Sequence, residues 1–226
     1  MTADFFDKKR WLYIALSQCL AVFIGACMCY AVKINYVTHV WVGKSFYFVL
    51  SENAHVDVSA QEIRLDGGAG YLLDYEGGSY AAWSVYFDEA DGLAVQAGIS
   101  EPTKLIQYNV GYLYFQTRAG KRNKGVIQGA LNSFYGCIDV LSQGLARLDE
   151  GMAQQACKRI LRLLYKEYAY MCSVYQEDYP QFSKACVAMQ TALSEILTKT
   201  VYGKDLRYLL CSACDAYIRM ATVFSL

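Results

Sequence analysis

Few side chains in this sequence have the type and spacing that catalysis or metal binding requires. Cys211 and Cys214 form a CxxC pair, and one helical turn would place both sulfur atoms on one face, as a metal site or a redox pair needs. No second ligand pair accompanies them, so small core side chains are the favoured interpretation. The two histidines, His39 and His55, lie beside neither a nucleophile motif nor a metal-ligand spacing. The sequence therefore predicts no catalytic residue, no metal site and no cofactor, and we expect no enzyme.

Acidic residues and glycines give no stronger signal of chemistry. The candidates for paired carboxylates fall at predicted turns and helix starts, where acids are common without a functional role: Asp66, Asp74, Asp88, Glu89 and Asp91. The glycines of residues 67–70 follow a predicted helix and precede a predicted strand. A phosphate loop has the reverse order, in which helix N–H groups point at the anion. These glycines therefore indicate a tight chain reversal.

Strands and helices alternate in the region from residue 45 to residue 118. Apolar runs predict strands at residues 46–50, 69–75, 80–87 and 103–116, and amphipathic segments predict helices at residues 54–65 and 89–98. The resulting order, βαββαβ, is typical of the ferredoxin-like arrangement. Such a sheet has helices on one face only.

The region from residue 119 to residue 226 has helical periodicity. A seam of apolar residues is spaced alternately by four and three positions: Ile127, Leu131, Phe134, Ile138, Leu141, Leu145 and Leu148. Three further amphipathic segments follow, so the sequence predicts an antiparallel helical bundle. One segment carries a column of basic residues, Lys158, Arg162 and Lys166. This column is either a contact for anionic lipid or cell-wall polymer, or an ordinary solvated helix face.

The N-terminal region reads as a membrane anchor. Residues 11–32 hold 22 positions without a charge, and at ~1.5 Å per residue such a helix spans the ~30 Å bilayer core. Basic residues at positions 8–10 predict that residues 1–10 are cytoplasmic and that the rest of the chain is extracytoplasmic. A cleaved signal peptide and lipidation at Cys27 remain alternatives. Residues 33–44 read as a juxtamembrane linker, in which Trp41 suits either the membrane interface or packing on the next domain.

The counts of charged residues argue against a nucleic-acid partner and allow attraction between the two halves of the chain. Basic and acidic side chains number 21 each, which argues against a nucleic-acid-binding protein. Residues 33–118 carry five basic and ten acidic side chains, whereas residues 119–226 carry thirteen and nine. The two halves are therefore able to attract each other. Six cysteines lie outside the anchor, and buried free thiols are favoured over disulfides.

Residues 45–116 resemble the SPOR domain, the sporulation-related repeat of bacterial envelope proteins. Residues 46–51 (FYFVLS) are similar to the family's first strand, residues 67–72 (GGAGYL) to its glycine-containing turn, and residues 83–91 (WSVYFDEAD) to its third strand and acidic turn. The third strand lacks the family's usual Gly-Pro pair. Family members are often anchored in the membrane and bind peptidoglycan glycan strands.

The resemblance implies a non-catalytic envelope protein that binds cell-wall glycan in cell division or sporulation. The ligand would lie on the sheet face that helices leave open, where we expect Phe48, Tyr71, Ser84 and Tyr86 to contact it. The alternative is a protein-interaction scaffold, in which the helical region recruits envelope protein partners and covers the sheet. The partners expected from the sequence are thus glycan strands, the lipid bilayer and other envelope proteins.

Overall fold

The computed structural model of the protein describes residues 17–29, 37–53, 55–116, 124–177 and 179–224. In chain order its elements are α1 (residues 17–29), β1 (Val37–Ser51), α2 (Val56–Leu65), β2 (Tyr71–Tyr75), β3 (Gly78–Tyr86), α3 (Glu89–Gly98), β4 (Thr103–Gln116), α4 (Lys124–Asp149), α5 (Gln154–Tyr175), α6 (Pro180–Leu197) and α7 (Gly203–Phe224). β4 has the bounds predicted from the sequence. β1 begins at Val37 and includes most of the predicted linker.

The four strands form one antiparallel sheet in the order β2-β3-β1-β4. β1 and β4 pair along almost their whole length, from Val37 opposite Gln116 to Ser51 opposite Thr103. β3 pairs with β1 only from Tyr47 to Leu50. The outer halves of β1 and β4 therefore continue past the sheet as a two-stranded ribbon.

Local sequence explains the connections between the strands. The turn between β2 and β3 has positive φ angles at Glu76 (48°) and Gly77 (79°), the conformation that two-residue hairpin loops favour. The side chain of Asp88 accepts a hydrogen bond from the Ala90 N–H at 2.8 Å. This bond caps α3 and confirms the helix start predicted at Asp88.

Helices cover both faces of the sheet. Side chains that are directly opposite in an antiparallel pair share a face. On one face α2 packs on β3, and Gly92 of α3 lies against Leu105 and Tyr47. On the other face Phe46 is fully buried, and its ring lies 5.7 Å from the ring of Tyr217 in α7.

The sheet and helices α4–α7 share one hydrophobic core. The ring of Phe134, a member of the predicted α4 seam, lies 5.2 Å from Tyr168 of α5, 5.8 Å from Phe182 of α6 and 6.3 Å from Tyr217 of α7. Because Tyr217 also contacts Phe46, a single buried cluster runs from β1 to the end of α7.

The fold class predicted from the sequence is wrong. It combined an N-terminal transmembrane helix, a ferredoxin-like βαββαβ domain and a C-terminal antiparallel helical bundle in an α+β chain. Instead, the sheet, ordered β2-β3-β1-β4, lies between helices on both faces. The second face of the sheet is covered for a hydrophobic reason: Phe46, Phe48 and Leu50 on that face are 0% exposed, and exposing each to water would cost about 1.5–3 kcal/mol.

The N-terminal prediction is corrected as well. Within the described residues, no helix combines the length and the apolar character that crossing a bilayer demands. The predicted span, residues 11–32, extends beyond α1 at both ends, and residues 1–10 lie outside the described ranges. The side chains of α1 itself are exposed, among them Leu20 (60%), Phe23 (67%) and Met28 (66%).

Candidate functional site

The four residues predicted to contact a ligand lie on two opposite faces of the sheet. Phe48 is directly opposite Val85 and Ile106, on the face covered by α7. Tyr71 is on that face too, since it pairs with Ala82 beside Leu50. Ser84 is opposite Val49 and Tyr86 is opposite Tyr47, on the face covered by α2 and α3. The structure therefore does not bring the four side chains into one groove.

Phe48 and Tyr71 are engaged in packing. Phe48 is 0% exposed and meets the ring of Tyr108 edge to face at 5.8 Å. The Tyr71 ring meets Tyr208 of α7 edge to face at 5.4 Å, and its hydroxyl donates to Asp215 Oδ2 at 2.7 Å. Neither side chain is available to a ligand while α7 covers the sheet.

A polar network around Asp215 holds α7 against the sheet. Asp215 accepts hydrogen bonds from Tyr71 and, at 2.9 Å, from Nε of Arg219, whose Nη2 lies 3.3 Å from Asp74 Oδ2 in β2. Burial and the Asp215 carboxylate raise the pKa of Tyr71, so the phenol stays protonated and keeps donating. The same carboxylate raises the pKa of Arg219.

Ser84 and Tyr86 lie together in an open cleft of about 450 Å³ between β3, α3 and α7. We call this the β3 cleft and define it by Gly68, Trp83, Ser84, Tyr86, Val95 and Arg207. Ser84 Oγ donates to the Tyr86 hydroxyl at 2.9 Å, and burial raises the pKa of Tyr86. The cleft thus offers two hydroxyl groups and the rings of Trp83 and Tyr86 to a polar ligand, beside the charged side chains of Asp66 and Arg207.

Trp83 and Arg207 complete the β3 cleft, and neither is among the site residues predicted from the sequence. The Trp83 ring lies so close to Gly68 that a Cβ there would be 2.7 Å from Cε3, and its buried Nε1–H has no hydrogen-bond partner among the described residues. Arg207 donates from Nη1 to the Gly67 carbonyl at 3.1 Å and from Nη2 to Asp149 at 2.6 Å. No local sequence signal marks Arg207, because its partners are distant in the chain.

The predicted basic column lies on the outer side of α5. Lys158 is half-buried, whereas Arg162 and Lys166 are exposed. Among the described residues none of these three takes part in an ion pair. The column is flanked by two large apolar side chains that the sequence analysis did not single out, Leu163 (66% exposed) and Tyr170 (62%).

The helical phase of Leu163 and Tyr170 can be identified from the sequence. Leu163 and Tyr170 are seven positions apart and out of phase with the buried face of α5, which carries Leu161, Leu164 and Tyr168. A single exposed apolar residue is ordinary, whereas several that share one outer helix face mark a contact surface. The outer face of α5 therefore combines positive charge with exposed apolar area.

The cysteines and histidines that were candidates for metal binding or redox chemistry lie in the core or apart from one another. Cys211 and Cys214 are fully buried on the core side of α7, and burial raises the pKa of both thiols, so they remain protonated. All nine cysteines are free. His39 is exposed and His55 precedes α2. Within the described residues, no group of three or more His, Cys, Asp or Glu side chains is arranged to hold a metal ion.

A second and larger cleft, of about 770 Å³, lies where β1 ends and β4 begins. Its polar lining is acidic, with Glu52, Glu62, Asp66 and Glu101. These side chains surround an open depression without a histidine, a thiol or a basic side chain among its lining residues. The arrangement therefore carries negative charge.

Comparisons of the chain with family models, with curated proteins and with solved structures find no match.

Proposed function

We propose that this protein is a membrane-attached, non-catalytic scaffold that binds a protein partner through the outer face of α5. The observation that carries the proposal is the exposure of Leu163 and Tyr170 (66% and 62%) beside the cationic side chains of Arg162 and Lys166. Comparable apolar residues elsewhere in helices α4–α7 are largely used to bury the sheet and the core.

Because α7 covers the sheet, the structure favours a scaffold role rather than ligand binding on that face of the sheet. Displacing α7 from the sheet would expose Phe46, Phe48 and Leu50 and would break the bonds of Asp215. The free-energy cost of displacing α7 would lower the apparent affinity of any ligand on that face. Binding through an outer helix face requires no such rearrangement.

The chemistry of the α5 face defines the partner. Basic side chains at positions 159, 162 and 166 lie among exposed apolar ones at 163, 170 and 174. An amphipathic helix with acidic flanks would bury the apolar side chains and pair with the cations, the mode in which helix faces recognise helical segments. We therefore propose an acidic helical segment of another protein as the ligand.

Photo-crosslinking tests this proposal. A benzoylphenylalanine at position 163 of the full chain, in cells of its own source, should give one discrete protein adduct. The adduct should disappear in the Arg162→Glu/Lys166→Glu variant. Position 65 is the matched control, since Leu65 of α2 is 80% exposed. Equal labelling from positions 163 and 65, or an adduct that survives both charge reversals, would contradict the proposal.

Attachment to a membrane is the second part of the proposal. It is supported by the exposed apolar side chains of α1, such as Val22 (73%) and Phe23 (67%), which find no cover among the described residues. The full chain should float with phospholipid vesicles in a density gradient. Replacing Val22 and Phe23 by serine should weaken flotation, and unchanged flotation would contradict this role for α1.

Glycan binding in the β3 cleft is a second candidate function. The specific observation is the pair of hydroxyl groups on Ser84 and Tyr86 beside the Trp83 ring, since sugar hydroxyls accept and donate hydrogen bonds and sugar faces stack on aromatic rings. This candidate also carries forward the resemblance to the SPOR domain. It moves the ligand to the sheet face opposite the one expected in that family.

Co-sedimentation with peptidoglycan sacculi stripped of stem peptides tests the second candidate. The full chain should be retained, and Ser84→Ala/Tyr86→Phe should reduce retention. Tyr80→Phe is the matched control, because Tyr80 lies on the other face of the sheet beside Lys104. Equal retention of the two variants would eliminate the β3 cleft as a glycan site.

A further inference from the structure

The ribbon formed by β1 and β4 has one buried side and one exposed aromatic side. On the buried side Val40, Val110 and Leu113 are at most 7% exposed, and Val110 and Leu113 lie beside α7. On the other side His39 is opposite Tyr114, and Trp41 is opposite Tyr112. Trp41, Tyr112 and Tyr114 are 58%, 53% and 52% exposed. We call these four side chains the aromatic face.

The rings of the aromatic face form one continuous patch. Ring centroids of Trp41 and Tyr112 are 4.5 Å apart, those of His39 and Tyr112 are 5.8 Å apart, and those of Tyr112 and Tyr114 are 6.4 Å apart. Scattered exposed apolar residues are ordinary, whereas contiguous ones mark a contact surface. Tryptophan and tyrosine in particular concentrate where a bilayer meets water, because their rings are apolar and their N–H and O–H groups are polar.

The backbone holds Trp41 in its exposed position. The register of β1 and β4 shifts between Trp41 and Lys44, and Gly43 has a φ of +58°. The indole lies directly over Gly43, so that a Cβ there would be 2.7 Å from Trp41 Nε1. A β-bulge thus aims the side chain outward.

The position of the aromatic face in the chain identifies what covers it. β1 begins at Val37, eight positions after α1 ends at residue 29, so the exposed apolar helix joins the chain at this end of the ribbon. The paired residue Gln116 ends β4, and the chain then carries Arg118, Lys121, Arg122 and Lys124. In the sequence, an apolar helix therefore precedes β1 and a basic segment follows β4. Anionic bilayers attract this combination.

We propose that the aromatic face lies in the headgroup region of the bilayer to which α1 binds. The ribbon would then set the orientation of the whole molecule on the membrane, with its paired ends towards the lipid and the outer face of α5 free for a partner. This inference rests on the proposed membrane attachment and is independent of the partner of α5.

Depth-dependent quenching of tryptophan fluorescence tests the inference. The chain has three tryptophans, so Trp11→Phe/Trp83→Phe leaves Trp41 as the sole reporter in the full chain. With vesicles of phosphatidylcholine and phosphatidylglycerol, lipids brominated near the headgroup should quench Trp41 more strongly than lipids brominated near the chain end. The control, Trp11→Phe/Trp41→Phe, leaves Trp83, which packs beside Gly68 and should not be quenched.

A second pair of variants needs no tryptophan replacement. Tyr112→Ser/Tyr114→Ser should lower the vesicle partition coefficient by roughly tenfold, equivalent to about 1.4 kcal/mol. Tyr202→Ser is the matched control, since Tyr202 is 57% exposed on another surface and should leave partitioning unchanged. Circular dichroism of each variant establishes that it is folded.

The outcomes separate this inference from membrane attachment itself. Failure of the unaltered chain to float would overturn both. Flotation with an unquenched Trp41 would overturn the inference and leave attachment intact. If Tyr112→Ser/Tyr114→Ser abolishes retention on peptidoglycan sacculi while flotation is unchanged, the aromatic face binds glycan and the inference is wrong.

Discussion

Asp215 shows how one buried carboxylate secures the cover of the sheet. It is 7% exposed and bonded both to Tyr71 in β2 and to Arg219 in its own helix. Its partners satisfy it from both sides of the interface between α7 and the sheet. It therefore joins α7 to β2 through Tyr71, and it also forms an (i, i+4) ion pair within α7.

Asp215→Asn should lower the free energy of unfolding by about 1–3 kcal/mol, because a neutral amide accepts more weakly than a buried carboxylate from Tyr71 and Arg219. Urea denaturation followed by circular dichroism measures the change. Asp139→Asn is the control: Asp139 is exposed on α4 and accepts one bond, from Gln143 at 2.9 Å. That variant should change stability by less than about 0.5 kcal/mol. Similar losses in both variants would mean that the network does not fasten α7.

The buried thiols predict a loss of stability at alkaline pH. Burial raises the pKa of Cys137 and of Cys186 to about 12, from an ordinary 9.0. Above pH 9.0 the unfolded chain releases these protons while the folded chain retains them, so the free energy of unfolding falls as pH rises towards 12. Urea denaturation at neutral pH and near pH 10 measures the decline.

The control for the thiol prediction is the Cys137→Ala/Cys186→Ala variant. Its stability should fall less steeply with pH than that of the unaltered chain, although the buried tyrosines still contribute in the same direction. An equal slope in the two proteins would show that these thiols do not cause the decline.

At the scale of elements, the corner between α2 and β2 depends on the close approach of two backbones. Gly70 has a φ of +57°, and a Cβ there would overlap the carbonyl oxygen of Ala60 in α2 and lie 3.2 Å from Arg64 Cβ. The glycine run of residues 67–70 is therefore a chain reversal under a helix, as its position between predicted elements indicated.

Gly70→Ala should destabilise the fold much more than Gly77→Ala. Both positions have positive φ, but nothing lies within 4 Å of a Cβ at Gly77. Gly77→Ala should cost about 1–2 kcal/mol from backbone strain alone, and Gly70→Ala should add the overlap with α2. The difference between the two midpoints of urea denaturation isolates that overlap. Equal midpoints would show that α2 shifts freely away from β2.

The early start of β1 also belongs to this scale. The predicted linker included residues 37–44, although Val40, Trp41 and Val42 are β-branched or aromatic residues of the kind that strands favour. The length of the predicted fourth strand, residues 103–116, indicates that β1 extends into the predicted linker. A strand of 14 residues needs a partner of similar length, and β1 with its 15 residues provides it.

At the scale of the whole molecule, the continuous core predicts cooperative unfolding of the sheet and the C-terminal helices. The tryptophans all lie within the first 83 residues, whereas helices α4–α7 dominate the helical signal. Tryptophan fluorescence and far-ultraviolet circular dichroism should therefore give coincident urea transitions.

Phe134→Ala sharpens this prediction, since Phe134 contacts α5, α6 and α7 but lies outside the sheet. It should destabilise the protein by about 3–5 kcal/mol and lower both midpoints together. A fluorescence midpoint that stays in place while the dichroism midpoint falls would indicate two independently folding units.

Residue patterns were sufficient for the secondary structure after residue 45. Periods of two and of about 3.6 residues, the cap at Asp88 and the turn at Glu76–Gly77 are local signals, and the structure follows them. The site was predicted less well. The four proposed ligand residues were correctly placed in strands, but alternation along one strand does not say which helix covers which face.

By itself, then, the sequence determined the order of the strands and helices, the exposed apolar segment at the N-terminus and the basic column of α5, because each depends on residues close together in the chain. Only the tertiary structure decided that α7 covers the sheet, that Ser84 and Tyr86 lie opposite Phe48 and Tyr71, and that Trp41 joins an aromatic face. These features depend on contacts such as Tyr71 with Asp215, which are 144 positions apart. Such contacts form between elements that pack together to bury apolar area. No local sequence pattern specifies which elements these are.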